Sequence, residues 1–333
     1  MRNSFTSKQI AADLGVSQTT VSRALSGKGR VSPATRELVK KYIIEHGGTY
    51  EEPASDGSEA LTTNIAIVIP EDYNQNFMSF FMTCLSGIQE TCQANGYDLL
   101  VTSCGNKDVS SLVRIVEKHK VDGVILARTY DNDAAVEFLQ SKHVPFVTIG
   151  TTPVSNVTMI DEDNVGSAME MTQILIAKGF KKLALICGSL DFIVNRQRLE
   201  GFNLGVEEAG LPLHGEIVYT SKDTVADVSD CVSDILSKGA DCIVCADDNL
   251  AMMTLNELRR RHVHIPGEVK IASFYDSTYL MQYHPSVTSL VFDSRTLGRK
   301  AAEKLLFMLG TFDSDQSESI SLSYEISFRE STK

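Results

Sequence analysis

Acidic side chains follow several apolar segments of this sequence at the points where those segments end. CIVCADDNLAM contains Asp247 and Asp248, IASFYDS contains Asp276, and VTMIDEDNVGSA contains Asp161 and Asp163. A carboxylate can accept two hydrogen bonds from a neighbouring pair of hydroxyl groups, and such charge-assisted bonds are strong. If the segments are adjacent strands, the acids form a ring suited to a polyhydroxylated ligand. The alternative is that each Asp caps the helix that follows it.

A guanidinium group can complete such a ring, because its fork of N–H donors also binds paired oxygens. The segment NRQRLEGF supplies Arg196 and Arg198 where a helical stretch begins. Other chemistry has little support. The sequence has neither GxGxxG nor GxxxxGK[ST], and no nucleophile–base spacing stands out. Cys242 and Cys245 form a CxxC inside an apolar strand, which favours a buried structural role over redox or metal chemistry.

The elements that must position these residues alternate between strand and helix. Near-continuous apolar runs separated by amphipathic stretches indicate a parallel, doubly wound α/β sheet covered on both faces. Eight such runs over about 270 residues favour two similar lobes, with the ligand cleft at the carboxyl ends of their strands. The predicted strands are residues 64–70, 97–103, 123–128, 145–150, 182–188, 216–220, 241–247 and 270–276.

The charge of the chain is divided unevenly along its 333 residues. The whole sequence carries −12, whereas residues 1–46 hold eight Lys or Arg and three Asp or Glu, a net of +5. A basic end on an acidic body points to a module that binds a polyanion. The N-terminus lacks the apolar region of a signal peptide, no run of about 18 apolar residues is present, and seven cysteines do not suggest a disulfide framework. We therefore expect a cytoplasmic, nucleoid-associated protein without a membrane span.

The basic end reads as three short helices. Thr6 provides an N-cap before the first helix, Gly15 supplies the positive φ of a tight turn, and the second helix covers residues 18–25. Ser32 and Pro33 then start a third helix that reaches about Glu45. Two helices joined by a Gly-centred turn, with a third bracing them, form a helix-turn-helix. A small helical domain with a solvated basic face is the alternative.

The polar face of the second helix has groups suited to base edges and phosphates in a DNA major groove. The candidate DNA-binding residues, including cations placed to reach flanking phosphates, are Thr6, Ser17, Gln18, Thr19, Thr20, Ser22, Arg23, Lys28, Arg30 and Arg36.

The segment SKQIAADLGVSQTTVSRALSGKGRVSPATRELV closely resembles the headpiece of the lactose-repressor (LacI/GalR) family of bacterial transcription regulators. The resemblance implies that Gln18, Thr19 and Arg23 read bases, and that Ser17, Thr20, Ser22 and Arg36 hold phosphates. It extends over nearly the whole chain and implies a body like a periplasmic sugar-binding protein. The expected divisions are a headpiece of residues 1–50, a linker of 51–63 and a body of 64–333, with an N-lobe of 64–161 and 291–323 and a C-lobe of 162–290.

The linker departs from the family pattern. Members usually carry a Tyr-x-Pro-Asn-like turn and a hinge helix that places a Leu in the minor groove. Here GGTYEEPASDGSEALTT has four acidic residues and no basic one, and Leu61 lies close to the next strand. We therefore expect a flexible tether.

The resemblance also implies which residues contact a ligand. Arg198 stands three residues before the Gly of the family's RxxG, and Asp247 and Asp276 match acids or amides at strand ends. No aromatic residue occurs between Tyr219 and Phe274, so aromatic stacking must come from elsewhere, and a purine fits less well than a sugar. The candidate ligand-binding residues are Tyr73, Phe77, Phe80, Asp161, Arg198, Asp247, Tyr275 and Asp276.

The leading hypothesis is a ligand-responsive regulator without enzymatic activity, metal or cofactor. It would be a repressor that binds palindromic operator DNA as a homodimer under the control of a sugar-like effector, with induction and co-repression both open. The first alternative is an α/β carbohydrate- or nucleotide-processing enzyme with an appended DNA-binding domain. The second is a stand-alone solute-binding protein, which would need a secretion signal and no headpiece.

Overall fold

The computed structural model describes residues 6–26, 33–46, 61–71, 79–212, 217–311 and 320–333. They divide into two compact units, Met1–Thr62 and Thr63–Lys333. Several predictions lie outside the described residues: those on Lys28, Arg30, Tyr73, Phe77, linker residues 51–60 and the side chain of Arg36.

The first unit contains three helices, α1 (Ser7–Leu14), α2 (Gln18–Ser26) and α3 (Pro33–Glu45). Thr6 caps α1 in a reciprocal capping box with Gln9, and Gly15 ends that helix with φ of 65°. Ser17 caps α2, because its Oγ accepts the backbone N–H of Thr20 at 3.0 Å. A small apolar core joins the helices and comprises Ile10, Ala11, Val21, Ala24, Val39 and Ile43.

The second unit contains two lobes, each built on a six-stranded sheet. The strands of the first lobe are β1 (Asn64–Pro70), β2 (Asp98–Cys104), β3 (Gly123–Leu126), β4 (Phe146–Ile149), β5 (Thr158–Glu162) and β11 (Ile320–Leu322). Its helices are α4 (Ser79–Ala94), α5 (Ser110–Glu117), α6 (Ala134–Ser141) and α12 (Ser294–Met308). The strand order is β11-β5-β4-β3-β1-β2, with all neighbours parallel.

The strands of the second lobe are β6 (Leu183–Ile186), β7 (Val218–Tyr219), β8 (Cys242–Cys245), β9 (Lys270–Ser273), β10 (Thr288–Phe292) and β12 (Tyr324–Ser327). Its helices are α7 (Asn164–Ala177), α8 (Ile193–Glu208), α9 (Val225–Ser237), α10 (Asp248–Arg260) and α11 (Thr278–Gln282), followed by a short 3-10 helix at Glu330–Thr332. The order is β12-β10-β9-β8-β6-β7, and only the β10–β12 pair among these is antiparallel.

The predicted α/β fold class with doubly wound sheets is confirmed. Successive residues of β1 point to opposite faces of the sheet and are buried on both. Ile65 and Ile67 pack in the cluster that contains α4 and α12 residues, whereas Ala66 and Val68 pack in the cluster that contains α5 and α6 residues. Burial on both faces explains the continuous apolar run in the sequence.

The chain passes between the two lobes three times, after β5, after β10 and after β11. The whole of β10 belongs to the second lobe, so this boundary follows Phe292 instead of residue 290. Residues 324–327 return to the second sheet as β12. The three crossings bring the carboxyl ends of the parallel strands of both sheets to one cleft.

Within the described residues, no helix is both long and apolar enough to cross a membrane. Cys242 and Cys245 are fully buried in β8, and burial raises the pKa of both thiols. They behave as small apolar side chains, in keeping with the structural role expected for them.

Candidate functional site

The exposed face of α2 carries four of the predicted DNA-binding side chains. Val21 and Ala24 are buried in the core, and Gln18, Thr19, Ser22 and Arg23 lie on the opposite, exposed face of the helix. A helix presented after a Gly-centred turn, with hydrogen-bonding groups on its free face, has the form of a recognition helix. Thr6, Ser17 and Thr20 are engaged in the caps, because the backbone N–H of Thr6 donates to Gln9 Oε1 at 3.0 Å and that of Thr20 donates to Ser17 Oγ at 3.0 Å.

A cleft of about 870 Å³ lies in the second unit at the carboxyl ends of the strands. Residues of both lobes line it, from the ends of β3, β4 and β5 on one side and β8 and β9 on the other. The acidic lining residues are Glu71, Asp108, Asp161, Glu162, Asp191, Asp223, Asp247 and Asp248, and the basic ones are Lys107, Arg128 and Arg198. Its volume is within the range of small-molecule sites.

Arg198 extends from the second turn of α8 into the cleft and is only 7% exposed. Its Nη1 donates to the carbonyl oxygen of Ala246, at the end of β8, at 2.9 Å. Its guanidinium carbon lies 5.8 Å from the ring centre of Tyr275. The Nε–H is buried and has no partner. A buried donor without an acceptor is costly, and this N–H could donate to an oxygen of a ligand.

Asp161, Glu162 and Asn164 come from the end of β5 and the start of α7. Asp161 accepts the backbone N–H of Thr151 at 3.1 Å and that of Glu162 at 2.8 Å. Burial nevertheless raises the pKa of Asp161 to about 6, and burial raises the pKa of Glu162 to about 8. The nearby Arg198 guanidinium partly opposes both increases.

Asp247 and Asp248 follow β8 and have different roles. Asp247 is the N-cap of α10, because its Oδ1 accepts the backbone N–H of Leu250 at 2.8 Å, so the capping alternative holds at this position. Asp248 accepts the hydroxyl of Ser79 at 2.9 Å and thereby joins the second lobe to α4 of the first. Burial raises the pKa of Asp248 to about 6. Both residues line the cleft.

Aromatic side chains form the apolar walls of the cleft. Phe80 contacts Tyr275 edge to face with ring centres 5.7 Å apart, across the lobes. The Tyr275 hydroxyl is within hydrogen-bond distance, 2.8 Å, of the Ser294 hydroxyl. Arg128 lies 4.2 Å from the ring centre of Phe192, a cation–π contact that also joins the lobes. Phe80 and Tyr275 are thus both brought to the cleft.

Asp276 is placed differently from the sequence prediction. It is not among the residues that line the cleft. Both of its carboxylate oxygens accept hydrogen bonds from Arg329, Oδ1 from Nη1 and Oδ2 from Nη2, each at 2.6 Å. Both side chains are mostly buried. The carboxylate is therefore engaged in a bidentate ion pair, and we expect a structural role for it in place of the predicted ligand contact.

Sequence reasoning missed several cleft residues. Glu162 and Asn164 adjoin the predicted Asp161, and Gln197 adjoins the predicted Arg198. Gln197 donates to the Thr151 hydroxyl at 2.9 Å, which ties α8 to the first lobe. Arg128 lies two residues after the end of β3, so the strand-end rule could have found it. In the described part of the chain, no group of His, Cys, Asp and Glu is arranged to hold a metal ion.

Residues 6–48 match the family of bacterial regulatory proteins named lacI, and residues 172–332 match the periplasmic binding protein-like domain. The chain belongs to the lacI family. The resemblance seen in the sequence is thus confirmed for the family, and the chain is a DNA-binding transcriptional regulator of this type.

Relatives cover nearly the whole length of this lacI-family chain. It is 28% identical over 308 residues to the HTH-type transcriptional regulator CelR of Thermobifida fusca, covering 90% of this chain and 91% of that protein. It is 27% identical over 335 residues to the HTH-type transcriptional regulator RegA of Clostridium saccharobutylicum, covering 98% of each. A solved transcriptional regulator CelR–cellobiose complex shares 27% identity and aligns with a TM-score of 0.74, covering 98% of this chain and 100% of that one.

Proposed function

We propose that this lacI-family regulator is a repressor whose DNA binding is controlled by a sugar-like effector in the cleft between the two lobes. The observation that carries the proposal is the buried guanidinium of Arg198, which has an unpartnered Nε–H in a cleft lined by carboxylates. Paired hydroxyl groups can donate to the carboxylates and accept from the guanidinium, whereas an apolar ligand would leave these groups unpaired. The cellobiose in the CelR complex supports the same class of ligand.

The proposed mechanism is a population shift between arrangements of the two lobes. Contacts that cross the cleft include Ser79 to Asp248, Gln197 to Thr151 and Phe80 to Tyr275. A ligand that touches both lobes changes the relative stability of these arrangements, and by linkage the affinity for DNA changes too.

A homodimer fits the proposed DNA binding. One headpiece presents a single short recognition helix, and specific binding by such motifs uses two half-sites of a palindrome. We place the dimer surface on α4 and α10 by similarity to the family, and Met82 on α4 is 49% exposed. Such a regulator works in the compartment that holds the DNA, which is the cytoplasm for a bacterial protein.

The enzyme alternative is less well supported. The described residues that line the cleft include neither Cys nor His. Carboxylates could still act on a glycosidic bond, so turnover must be measured. We expect no release of reducing sugar when the protein is incubated with the oligosaccharides that bind it.

The test separates the two sites with two variants of the full chain. An operator is first selected from random DNA, and binding is then followed by fluorescence anisotropy at several salt concentrations, with a sugar panel screened by thermal shift. Arg23→Ala should lose operator affinity and keep stabilisation by sugar. Arg198→Lys retains the charge but loses the planar fork, so it should lose stabilisation by sugar and keep operator binding. A full chain that binds no DNA selectively, or one whose operator affinity no sugar changes, would refute the proposal.

A further inference from the structure

The cleft has a strong excess of negative charge. Eight Asp or Glu but three Lys or Arg are found among the described residues that line it. One of the three cations, Arg128, already lies against the ring of Phe192. Hydroxyl groups of a neutral sugar can satisfy hydrogen bonds here, but they cannot offset the excess charge.

The excess is concentrated in a buried carboxylate cluster, which comprises Asp161, Glu162 and Asp248. All three lie within electrostatic range of the same guanidinium, that of Arg198. None of the three forms an ion pair within 4 Å in the part of the chain that the structure describes. One cation is therefore shared by two buried acids, Glu162 and Asp248, and the half-buried Asp161, and buried charges that lack partners are costly.

Two buried hydrogen-bond acceptors beside this cluster have no donor, and they indicate independently which kind of group a ligand should supply. Glu162 is 6% exposed and Asn164 is 3% exposed, and both line the cleft. Glu162 Oε1 and Asn164 Oδ1 are buried with no hydrogen-bond partner. Asn164 already uses its own Nδ2, which donates to the Glu162 carbonyl oxygen at 3.2 Å. The site therefore lacks donors, and an ammonium group supplies three of them with a positive charge.

We propose that the effector is a saccharide carrying a protonated amine, and that its ammonium group binds the buried carboxylate cluster. This inference rests on the proposed function and specifies the ligand class of the same cleft. Glu162 Oε1 and Asn164 Oδ1 accept hydrogen bonds from the ammonium, and the carboxylates of Asp161 and Asp248 add their field from the first and second lobe. The increased pKa values of these acids are consistent with a site that lacks its cation.

The remaining features of the cleft favour a saccharide over a simple polyamine. A polyamine offers no acceptor for the Nε–H of Arg198, whereas a sugar hydroxyl does. Phe80 and Tyr275 provide apolar surface for the faces of a sugar ring. A cleft of about 870 Å³ is also large enough for two sugar rings.

The experiment compares three disaccharides that share a β(1→4)-linked glucose backbone and differ only at C2. They are the glucosamine disaccharide with an ammonium, cellobiose with a hydroxyl, and diacetylchitobiose with a neutral amide. Isothermal titration of the full chain at pH 6.5 should show the glucosamine disaccharide binding at least about tenfold more tightly than either neutral probe. Its binding should also release protons, because the bound cation lowers the pKa of the cluster, and this is measured by comparing buffers of different ionisation heat.

The variants Glu162→Gln and Asp248→Asn remove one charge of the cluster each and should reduce the preference for the amine about tenfold. Glu207→Gln is the matched control, because it removes one charge from an exposed position on α8 and should leave the preference unchanged. Thermal unfolding confirms that each variant is folded before titration.

Equal or tighter binding of a neutral disaccharide would overturn the inference and leave the proposed function standing. Spermidine binding as tightly as the glucosamine disaccharide would overturn its saccharide part. Binding of none of the four probes would also overturn it. Failure of the proposed function appears separately, as loss of selective DNA binding or of any effect of sugars on it, which these titrations do not measure.

Discussion

The ion pair between Asp276 and Arg329 gives a sharp test of the fold, because sequence reasoning assigned Asp276 to ligand binding. The structure shows two parallel hydrogen bonds of 2.6 Å between these side chains. Arg329 Nη1 also donates to the Val287 carbonyl oxygen at 2.8 Å. The pair joins the end of β9 to the segment after β12, so it fastens the C-terminal residues to the second lobe. We predict that Asp276→Ala destabilises the protein and does not affect ligand affinity.

The expected loss follows from the burial of the pair. The Asp276 and Arg329 side chains are 15% and 13% exposed. Removing one member of a buried pair costs about 3–5 kcal/mol, because the other charge is left without its partner. Since Arg329 keeps some water contact and its bond to Val287, we expect about 2–4 kcal/mol of unfolding free energy for Asp276→Ala. In the double variant Asp276→Ala, Arg329→Ala, the loss of unfolding free energy should be smaller than the sum of the losses of the two single variants. The difference, which is the coupling energy of the pair, should be about 2 kcal/mol.

Urea unfolding followed by far-ultraviolet circular dichroism measures the loss. The matched control is Asp131→Ala, which breaks another Asp–Arg pair, at 3.2 Å to Arg196, with both side chains nearly half exposed. An exposed pair contributes little, so the control should lose less than about 1 kcal/mol. Ligand affinity is measured in parallel with cellobiose and the glucosamine disaccharide. Unchanged stability for Asp276→Ala, together with a large loss of sugar affinity, would show that the carboxylate serves the ligand and that our reasoning is wrong.

Three further predictions concern other parts of the molecule. Gly298→Ala should destabilise the first lobe by about 3 kcal/mol in urea unfolding, because a Cβ there would lie 2.1 Å from the Cys84 carbonyl oxygen of α4. Burial raises the pKa of Glu162 from 4.5 to about 8, so the unliganded protein should lose stability as pH rises from about 4.5 to about 8. This group can account for a loss of at most about 5 kcal/mol. Glu162→Gln should remove that contribution, as measured by thermal unfolding across the same pH range. Arg23→Ala should weaken operator binding by about 1–3 kcal/mol and relax base preference, measured with single-base operator variants, and unaltered binding would contradict the placement of the recognition helix.

The headpiece could be predicted from sequence almost to the residue, because its signals are local. The capping side chains of Thr6 and Ser17 lie within three residues of the backbone amides they bind. Gly15 adopts the positive φ that its type suggests. The second predicted helix, 18–25, ends one residue before the observed Gln18–Ser26.

In the body, the sequence predicts strands that are buried on both faces of a sheet. It does not predict strands that form only by pairing with a segment far away in the sequence. The eight predicted apolar runs each overlap a strand of the two sheets. The eight runs omitted β10, β11 and β12, which have three to five residues and include polar ones, and β5 was expected only as the apolar segment before Asp161. β11 pairs with β5 across about 160 residues of sequence, and β12 is placed by its antiparallel partner β10. Such short segments become strands because a neighbour is available, which no local pattern encodes.

For the cleft, the sequence predicts where acidic residues lie better than it predicts what each of them does. The rule that functional groups follow strand ends correctly brought Asp247 and Asp248 to the cleft, since topology fixes where the ends of parallel strands meet. The rule could not distinguish them from Asp276, because the three carboxylates differ only in the side chains that contact them from distant parts of the sequence. Asp248 meets Ser79 of the other lobe, and Asp276 meets Arg329, 53 residues further along the chain. An acid at a strand end becomes available to a ligand only if no buried cation reaches it first, so the position of every Arg must be known before any Asp can be assigned.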